Sequence, residues 1–513
     1  MTLRRRLFAR TNALLPGRRS LAGADVLVSG SRIERIAPAD TIPSAEADET
    51  IDLDGAVLLP GFVDGHCHLE LTVTGRDHHV AVHTPPYTSL TQILEHLARA
   101  RRVRPKGWLI ARSSFGLQHK VHEARLPHRD ELDLISPNEP LAVLAGLHVA
   151  CLNTRAMSIL GLSDPTALPS WIDIDIDLDA AGPTGAFTEV WDRLPTHSTS
   201  EVMQSLRRHS RSLISSLGTT SLSTISTSAE DVRALHRLAR LGELPFRVRF
   251  FVHVPRTASL SEVLSWGPES GFGDDMLRFG GVKIFVDGEG ATAYGKPKDD
   301  TKWNPAELER FVEAADEAGI QVLMHAVTPR AIRLACEVVR SIASRRTLAV
   351  RHRIEHGADY VDADAIPFVA GTPVGLVATP HFVESAGSDA YDFQPLRALI
   401  DAGVDVVGAS DATGTVPDGV SPMRAIGLAA GRRTAAGAPS PHRISVREGL
   451  SMFGEWAAQG VNEDHEKGSI EVGKLADFII AGRDPLTADP EELAEIAVLS
   501  TFVAGERMTG AAR

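Results

Sequence analysis

The chain of 513 residues has few cysteines, no long apolar run and no excess of positive charge. Its 3 cysteines lie far apart, at Cys67, Cys151 and Cys336. An odd number at this spacing supplies neither a disulfide framework nor a zinc ribbon, and it is typical of a protein in a reducing compartment. We therefore expect a cytoplasmic protein.

The missing apolar runs and the acidic charge balance limit the partners of this chain. A membrane span needs about 18 or more consecutive apolar residues, and none occurs, so no membrane partner is expected. The formal net charge of -13 argues against a nucleic acid as partner. Hydrophobic residues make up 43% and charged residues 23%, which is a globular composition. These values favour a soluble protein with a small-molecule substrate and are compatible with a homo-oligomer.

Both ends of the chain consist of short segments with the alternating pattern of β-strands. The basic start, Met1–Arg10, lacks the apolar core of a targeting sequence, so we interpret it as the first strand. Further segments of this kind are Ala24–Val28, Arg32–Ile36, Glu49–Leu53, Gly468–Ile480 and Ser500–Gly505. We expect residues 1–58 and 442–513 to form one composite β-sandwich domain.

Between these ends, apolar strands alternate with helical patterns. Eight strands are predicted, at Leu59–His68, Gly218–Thr224, Phe246–Val252, Val282–Val286, Ile320–His325, His352–His356, Val374–Ala378 and Val404–Asp411. The predicted helices include Pro305–Ala318 and Pro329–Ser341, each with a proline in its first turn. Eight strand–helix units predict an α/β fold, a (β/α)₈ TIM barrel over residues 59–441, with active-site groups at the C-terminal strand ends.

Residues 84–200 interrupt this pattern between strands one and two. The span is too long for a loop, so we expect it to carry its own structure and to form a lid over the barrel mouth. Within it, Ile172–Asp177 alternates isoleucine with aspartate. A calcium site would need an EF-hand glycine and a closing glutamate, which are absent, so an edge strand with one wet face is the favoured interpretation.

Two histidines close the first predicted barrel strand. On a strand, residues i and i+2 point to the same face, so His66 and His68 project together and can share one metal ion. Taken alone, the pair fits a polar strand end equally well, because the chain holds 20 histidines. The interpretation therefore depends on whether other strand ends also carry ligands.

Four further potential ligands fall at predicted strand ends, at Lys283, His325, His356 and Asp411. Each has an ordinary alternative: His325 fits a core histidine, Asp411 a helix N-cap, and Lys283 a solvated charge. Because the C-terminal ends of all the strands meet at one mouth of a barrel, their joint occurrence at strand ends favours a shared metal site.

These segments resemble the amidohydrolase superfamily, and the resemblance covers nearly the whole chain. The matching segments are Pro60–His68, Val282–Gly288, Met324–Ala326, Arg353–His356, Ser410–Ala412 and Gly468–Asp477. Within the insertion, Pro183–Glu189 resembles a segment of the amidohydrolase-3 branch, which includes N-substituted formamide deformylases.

The resemblance implies a ligand set and a reaction. His66, His68 and Asp411 would hold one divalent metal, His325 and His356 a second, and a carboxylated Lys283 would bridge them. Such ligands suit two Zn²⁺ per chain, and manganese, iron or cobalt would also fit. Asp411 would carry the proton from the attacking hydroxide to the leaving amine. The implied reaction is hydrolysis of a non-peptide C–N bond in a small amide, formamide or cyclic amide.

Two departures from the family pattern concern the substrate. Val327–Arg330 lacks the aspartate that usually follows the strand-five histidine, and Asp287–Gly290 lacks the usual serine. His148 and His381 are candidate substrate contacts, although each fits an ordinary loop histidine nearly as well.

Two other functions remain open from the sequence. One is a mononuclear deaminase or chlorohydrolase of the same superfamily. These enzymes commonly lack the strand-four lysine, so Lys283 argues against it. The other is a non-catalytic scaffold. It should show broken ligands, and none is broken here.

Overall fold

The structure is a computed structural model that describes residues 3–14, 20–114, 116–164, 176–179, 182–188, 190, 193–287, 301–384, 393–412, 420–434 and 436–509. Its strands, in chain order, are Arg5–Leu14 (β1), Ser20–Ser29 (β2), Arg32–Pro38 (β3), Glu49–Asp52 (β4), Val57–Pro60 (β5), Phe62–Cys67 (β6), Val80–Ala81 (β7), Leu109–Ser113 (β8), Leu141–Ala145 (β9), Val149–Leu152 (β10), Ile176–Asp179 (β11), Gly182–Thr188 (β12), Thr219–Ser226 (β13), Arg247–His253 (β14), Leu277–Phe285 (β15), Gln321–His325 (β16), Arg353–Glu355 (β17), Gly375–Ala378 (β18), Val406–Gly408 (β19), Phe478–Ala481 (β20), Val498–Val503 (β21) and Glu506–Thr509 (β22).

The α-helices are Leu69–His78 (α1), Leu90–Val103 (α2), Arg129–Ile135 (α3), Thr154–Leu160 (α4), Thr199–Leu213 (α5), Ala229–Arg240 (α6), Leu260–Trp266 (α7), Pro305–Glu317 (α8), Pro329–Arg345 (α9), Gly357–Tyr360 (α10), Ile366–Ala370 (α11), Leu396–Asp401 (α12), Pro422–Ala430 (α13), Val446–Met452 (α14) and Glu455–Gly460 (α15). Within the described ranges, no helix combines the length and apolarity needed to cross a bilayer.

One sheet is assembled from both ends of the chain, in the order β22-β21-β20-β5-β1-β2-β3, with β4 paired to β1. The C-terminal strand β20 joins the N-terminal part by antiparallel pairing with β5. Three aromatic rings fill its core, since Phe8 lies 5.4 Å from Phe478 and 5.0 Å from Phe502 between ring centroids. Strand β5 extends this sheet past residue 58, and the expected domain boundaries at 58 and 442 stay predictions.

The central sheet is a nearly closed parallel barrel of eight strands, in the order β19-β18-β17-β16-β15-β14-β13-β6. Each of these strands falls within or overlaps a predicted one, so the (β/α)₈ prediction is confirmed. At the seam between β6 and β19, the Asp411 N–H donates to the His66 carbonyl (2.8 Å). Gly65 allows this approach, because a Cβ there would lie 2.3 Å from Val407 Cγ1.

The barrel interior is layered along its axis. Alternate residues of β14 face inward, which places Arg247, Arg249, Phe251 and His253 one above the other. Both arginines are buried and pair with carboxylates, Arg247 with Asp477 (2.7 Å) and Arg249 with Glu463. An apolar layer follows, formed by Ile225, Phe251, Leu323 and Val461. The histidines lie above it, at the C-terminal strand ends.

The insertion carries a sheet of its own, in the order β11-β12-β10-β9-β8-β7. Strand β11 lies at its edge, which agrees with the edge-strand interpretation for Ile176 and Asp177; residues 172–175 lie outside the described part of the chain. The turn between β9 and β10 brings His148 to the barrel mouth, where its ring centroid is 6.1 Å from that of His325. A lid function for the insertion stays a prediction.

Candidate metal centre

Strand β6 and the end of β19 bring two imidazoles and one carboxylate together. The Asp411 Oδ1 atom lies 3.5 Å from His66 Nε2 and 3.4 Å from His68 Nε2. The three donor atoms lie within 4.8 Å of one another. Both histidines are buried, and the Asp411 side chain is 17% exposed toward the mouth.

These separations suit a single ion. Zinc takes nitrogen and oxygen ligands at about 2.0–2.2 Å in tetrahedral geometry, which puts neighbouring ligand atoms about 3.3 Å apart. The two histidine–carboxylate distances are close to that value. Three protein donors that leave the fourth position open are also the usual arrangement of a catalytic rather than a structural site.

Charged groups hold the His66 ring in place. Glu355 accepts a hydrogen bond from His66 Nδ1, which directs the Nε2 lone pair toward Asp411. Arg353 in turn donates to both oxygens of Glu355 (2.9 and 3.0 Å). Burial opposes ionisation, but the charge of Arg353 and the hydrogen bond from His66 hold the pKa of Glu355 well below its usual value. The carboxylate therefore stays charged.

A second buried carboxylate fixes the seam that carries Asp411. Asp64 accepts hydrogen bonds from the Ser410 N–H (2.9 Å), the Ser410 hydroxyl (2.5 Å) and the His66 N–H (3.2 Å). Asp411 itself has a φ of 40°, which is uncommon for a residue with a side chain. The hydrogen bonds of Asp64 and the bond from Asp411 to the His66 carbonyl hold this turn in position.

The ionisation of the ligands suits metal binding. Burial, with Lys283 nearby, lowers the pKa of His66 to about 3. Burial alone would raise the pKa of Asp411, but the hydrogen bond with His68 and the neighbouring imidazoles hold it well below its usual value. Neutral imidazoles and an ionised carboxylate are the forms that bind a metal.

Two more histidines extend the cluster along the barrel rim. The ring of His356 lies 5.2 Å from His66 and 5.1 Å from His325, between centroids. His356 follows β17 with a φ of 63°, a turn that brings its side chain to the mouth beside the inward-facing Glu355. Each of the two rings has a buried carboxylate nearby: His356 Nδ1 lies 3.5 Å from Asp359 Oδ2, and His325 Nε2 lies 3.9 Å from Asp287 Oδ1. A carboxylate beside the ring is the usual support of a metal-binding histidine.

Lys283 lies on the inner face of β15, below these rings. It is 2% exposed, which rules out the solvated-charge interpretation. Its Nζ atom is 5.2 Å from the centroid of the Phe285 ring, and that ring is 4.5 Å from His325. Lys283 therefore lies beside Phe285, on the same strand face, and close to His325.

The two candidate substrate contacts flank the cluster. His148 comes from the insertion and lies 6.4 Å from Phe285, between ring centroids. His381 follows β18, is buried, and has a pKa that burial lowers to about 4. Phe382 stacks on His356 with centroids 5.9 Å apart. Imidazoles and phenyl rings therefore line the same mouth.

Sequence reasoning missed several supporting residues. Glu355 and Arg353 were visible as charges two residues apart in a buried strand, a pattern that signals an inward-facing ion pair. Asp64 shares the i, i+2 spacing with His66 and could have been found in the same way. His253 ends β14 and lies 5.0 Å from Phe285, between ring centroids.

The two loops that depart from the family pattern contact each other. Asp287 Oδ2 accepts hydrogen bonds from the Val327 and Thr328 N–H groups (2.7 and 2.8 Å), so the loop after strand four holds the altered loop after strand five. Residues Gly288, Glu289 and Gly290 lie outside the described part of the chain, as does Glu189 of the Pro183–Glu189 segment.

A parallel barrel with imidazole and carboxylate side chains grouped at its C-terminal strand ends is the arrangement expected of a metal-dependent hydrolase. A sequence model of the Amidohydrolase family matches residues 49–508, and the chain belongs to that family. It is therefore a metal-dependent hydrolase of carbon–nitrogen bonds, as expected from the resemblance.

The chain is also similar to individual proteins over nearly its whole length. The chain is 28% identical over 526 residues to the N-substituted formamide deformylase of Arthrobacter pascens, covering 94% of each chain. It is 25% identical over 538 residues to the protein LONG AFTER FAR-RED 3 of Arabidopsis thaliana, covering 95% of this chain and 89% of that one.

Solved structures share the fold. An uncharacterised metal-dependent hydrolase from Pyrococcus horikoshii superposes with a TM-score of 0.72 at 21% identity, covering 95% of this chain and 99% of that one. The atrazine chlorohydrolase TrzN of Arthrobacter aurescens, complexed with zinc, superposes with a TM-score of 0.56 at 15% identity, covering 98% and 95%.

Proposed function

We propose that this protein uses a binuclear zinc centre to hydrolyse the C–N bond of a small amide, formamide or cyclic amide. The observation that carries the proposal is the convergence of His66, His68 and Asp411 at distances suited to one ion. A divalent ion held there lowers the pKa of water toward neutrality and polarises the scissile carbonyl.

His66, His68 and Asp411 hold the first ion, and His325 and His356 hold the second. The support for the second ion is the pair of adjacent, buried imidazole rings. Two imidazoles alone are a poor set for zinc, which takes three or four protein ligands. The second ion therefore depends on a further ligand, and Lys283 is buried on the strand that pairs with the strand of His325.

Lys283 supplies that ligand after carboxylation. Its neutral amine would add to the carbon atom of carbon dioxide and lose one proton to water, which would leave a carbamate anion. The carbamate oxygen atoms would supply the further ligand that His325 and His356 lack. The buried position of Lys283 supports this role, because burial favours the neutral amine over the ammonium ion.

Asp411 moves the proton. Its carboxylate stays ionised, since neighbouring imidazoles hold its pKa below the usual range, so it can accept a proton from the attacking water. It then donates that proton to the leaving nitrogen, which departs as a neutral amine. The seam held by Asp64 keeps the carboxylate beside His66 and His68 during both transfers.

The walls of the mouth favour a substrate with an apolar or aromatic nitrogen substituent. Phe285 and Phe382 flank the outer histidines and offer ring faces, while His148 and His381 offer hydrogen bonds. The N-substituted formamide deformylase among the relatives agrees with such a substrate. The 3 free, buried cysteines agree with the cytoplasmic location that we also propose.

A mononuclear hydrolase or deaminase is the second candidate. The observation in its favour is that His66, His68 and Asp411 form a complete three-donor set, whereas His325 and His356 do not belong to such a set within the described part of the chain.

Lys283→Ala separates the two candidates. The binuclear proposal predicts the loss of one metal ion per chain by elemental analysis and a large loss of turnover on N-substituted formamides and cyclic amides. Isotope-labelled carbon dioxide should give a carbamate carbon signal in the wild type only. If the variant keeps both ions at the barrel mouth and full turnover, the bridging role is wrong. If the barrel mouth of the wild type binds one ion and the protein releases ammonia from aminated heterocycles, the mononuclear candidate replaces it.

A further inference from the structure

A second cluster of two imidazoles and one carboxylate lies outside the barrel mouth. It consists of His78 at the end of α1, His197 in the segment before α5, and Glu201 in the first turn of α5. One donor atom from each of the three lies within 4.8 Å of the other two. None of these residues belongs to the centre described above, and α1 separates the two clusters by about 15 Å along its axis.

The two imidazoles meet face to face. Their ring centroids are 4.4 Å apart with an angle of 26° between the planes. Neither ring makes a hydrogen bond to the described residues. Two imidazoles stacked this closely, with a carboxylate oxygen beside them, can share one cation.

The carboxylate is held in place by the helix that carries it. Glu201 Oε2 accepts hydrogen bonds from the Ser198 N–H (2.8 Å) and hydroxyl (2.7 Å), which forms a capping box. The hydrogen bonds of this carboxylate to the described residues all use Oε2. Oε1 is therefore the oxygen that a ligand can use without breaking the cap.

The two helices that carry the cluster are fixed relative to each other. Asp77 on α1 accepts hydrogen bonds from three side chains of α5, namely Ser205 (2.7 Å), Arg208 (2.7 Å) and His209 (2.8 Å). The neighbouring residue His78 is thus held against the start of α5. The C-terminal end of α1 also carries the negative end of the helix dipole, which favours a cation.

From this geometry we propose that His78, His197 and Glu201 bind one divalent transition-metal ion, with zinc the best match to two imidazoles and a carboxylate. The ion links the end of α1, the helix that begins directly after His68, to the segment that returns from the insertion to the barrel. It thereby fastens the insertion, which carries His148, beside the mouth. The site is independent of the reaction at the barrel centre.

The test counts zinc in the full-length protein. Wild type, His197→Ala and Glu201→Gln are equilibrated with Zn²⁺ alone at micromolar free concentration, and bound zinc is measured by elemental analysis. Glu201→Gln is the informative variant, because glutamine also completes a capping box and keeps α5 intact. His236→Ala, an exposed histidine on α6, is the matched control.

Each of the two variants should bind one zinc ion fewer per chain than wild type and than His236→Ala. Zinc should raise the melting temperature of a sample whose barrel centre is already filled, and this increase should be lost in His197→Ala. Equal zinc contents in all four proteins would overturn the proposal. Because the result is a difference between variants, it stands whether the barrel centre holds one ion or two.

Discussion

The two histidine clusters use the same donors in different surroundings. At the barrel mouth, His66 and His68 end a buried strand, and Glu355 and Asp64 fix the imidazole and the adjoining seam. At the helix ends, His78 and His197 are half-buried, and Ser198 holds the carboxylate of Glu201. The first arrangement is built from the barrel core, whereas the second rests on the packing of two helices. We therefore expect the cluster at the barrel mouth to bind its metal more tightly and to carry out catalysis. The ion bound by His78, His197 and Glu201 should stabilise the structure without being needed for turnover.

The largest expected effect separates the clusters directly. His68→Ala removes a ligand from the mouth, and turnover should fall by more than about a hundredfold, the upper loss typical of groups that only support a ligand. His78→Ala removes the equivalent donor from the helix ends and should leave turnover within about twofold of wild type. Steady-state rates with the same substrate measure both. A similar loss in the two variants would show that the clusters are functionally connected.

The next largest effect concerns Glu355, the carboxylate that supports His66 at the barrel mouth. Glu355→Gln keeps the size of the side chain but removes the charge that orients His66, and zinc affinity should fall about 10–100-fold. Competition with a zinc chelator measures this affinity. Glu317→Gln, an exposed glutamate at the end of α8, is the control. Because Arg353 loses its charged partner, affinity is measured on protein shown to be folded by circular dichroism. Unchanged affinity would contradict the role of Glu355.

The smallest effect is a pH dependence of stability caused by His83, which directly precedes the insertion. Burial, with Arg112 nearby, lowers the pKa of His83 to about 4, whereas in the unfolded chain it is about 6.5. Between these values the unfolded chain binds a proton that the folded protein does not, so the free energy of unfolding should fall as the pH falls from 6.5 to 4. His83→Gln should reduce this fall by on the order of 1 kcal/mol.

Denaturant melts of His83→Gln at several pH values measure this dependence, with His236→Gln as the exposed control. An identical pH dependence in wild type and His83→Gln would show that His83 is not held neutral in the folded protein.

The comparison also explains what the sequence could predict. The barrel was predictable because short, mostly β-branched or apolar segments alternate with helical patterns, and the candidate ligands at the mouth fall at the ends of such segments. His66 and His68 are two residues apart, so strand geometry alone puts them on one face. The roles of Lys283, His148 and His381 stay predictions that the structure makes sterically reasonable.

The cluster of His78, His197 and Glu201 at the helix ends could not be predicted from strand patterns. His78 and His197 are separated by the whole insertion, and only the packing of α1 against α5 brings them together. The same holds for Asp64 and Ser410, which meet because the barrel closes between its first and last strands. Long-range contacts of this kind depend on tertiary packing and leave no periodic pattern in the sequence.

The most direct test of the central claim is the metal content of His197→Ala, in which the helix-end cluster is removed, compared with His197→Ala/Asp411→Asn. Our account predicts about two ions per chain and turnover in the first protein. The second should be folded and inactive, with fewer bound ions. If the second protein keeps the same ions and the same turnover, then His66, His68 and Asp411 are not the catalytic metal centre.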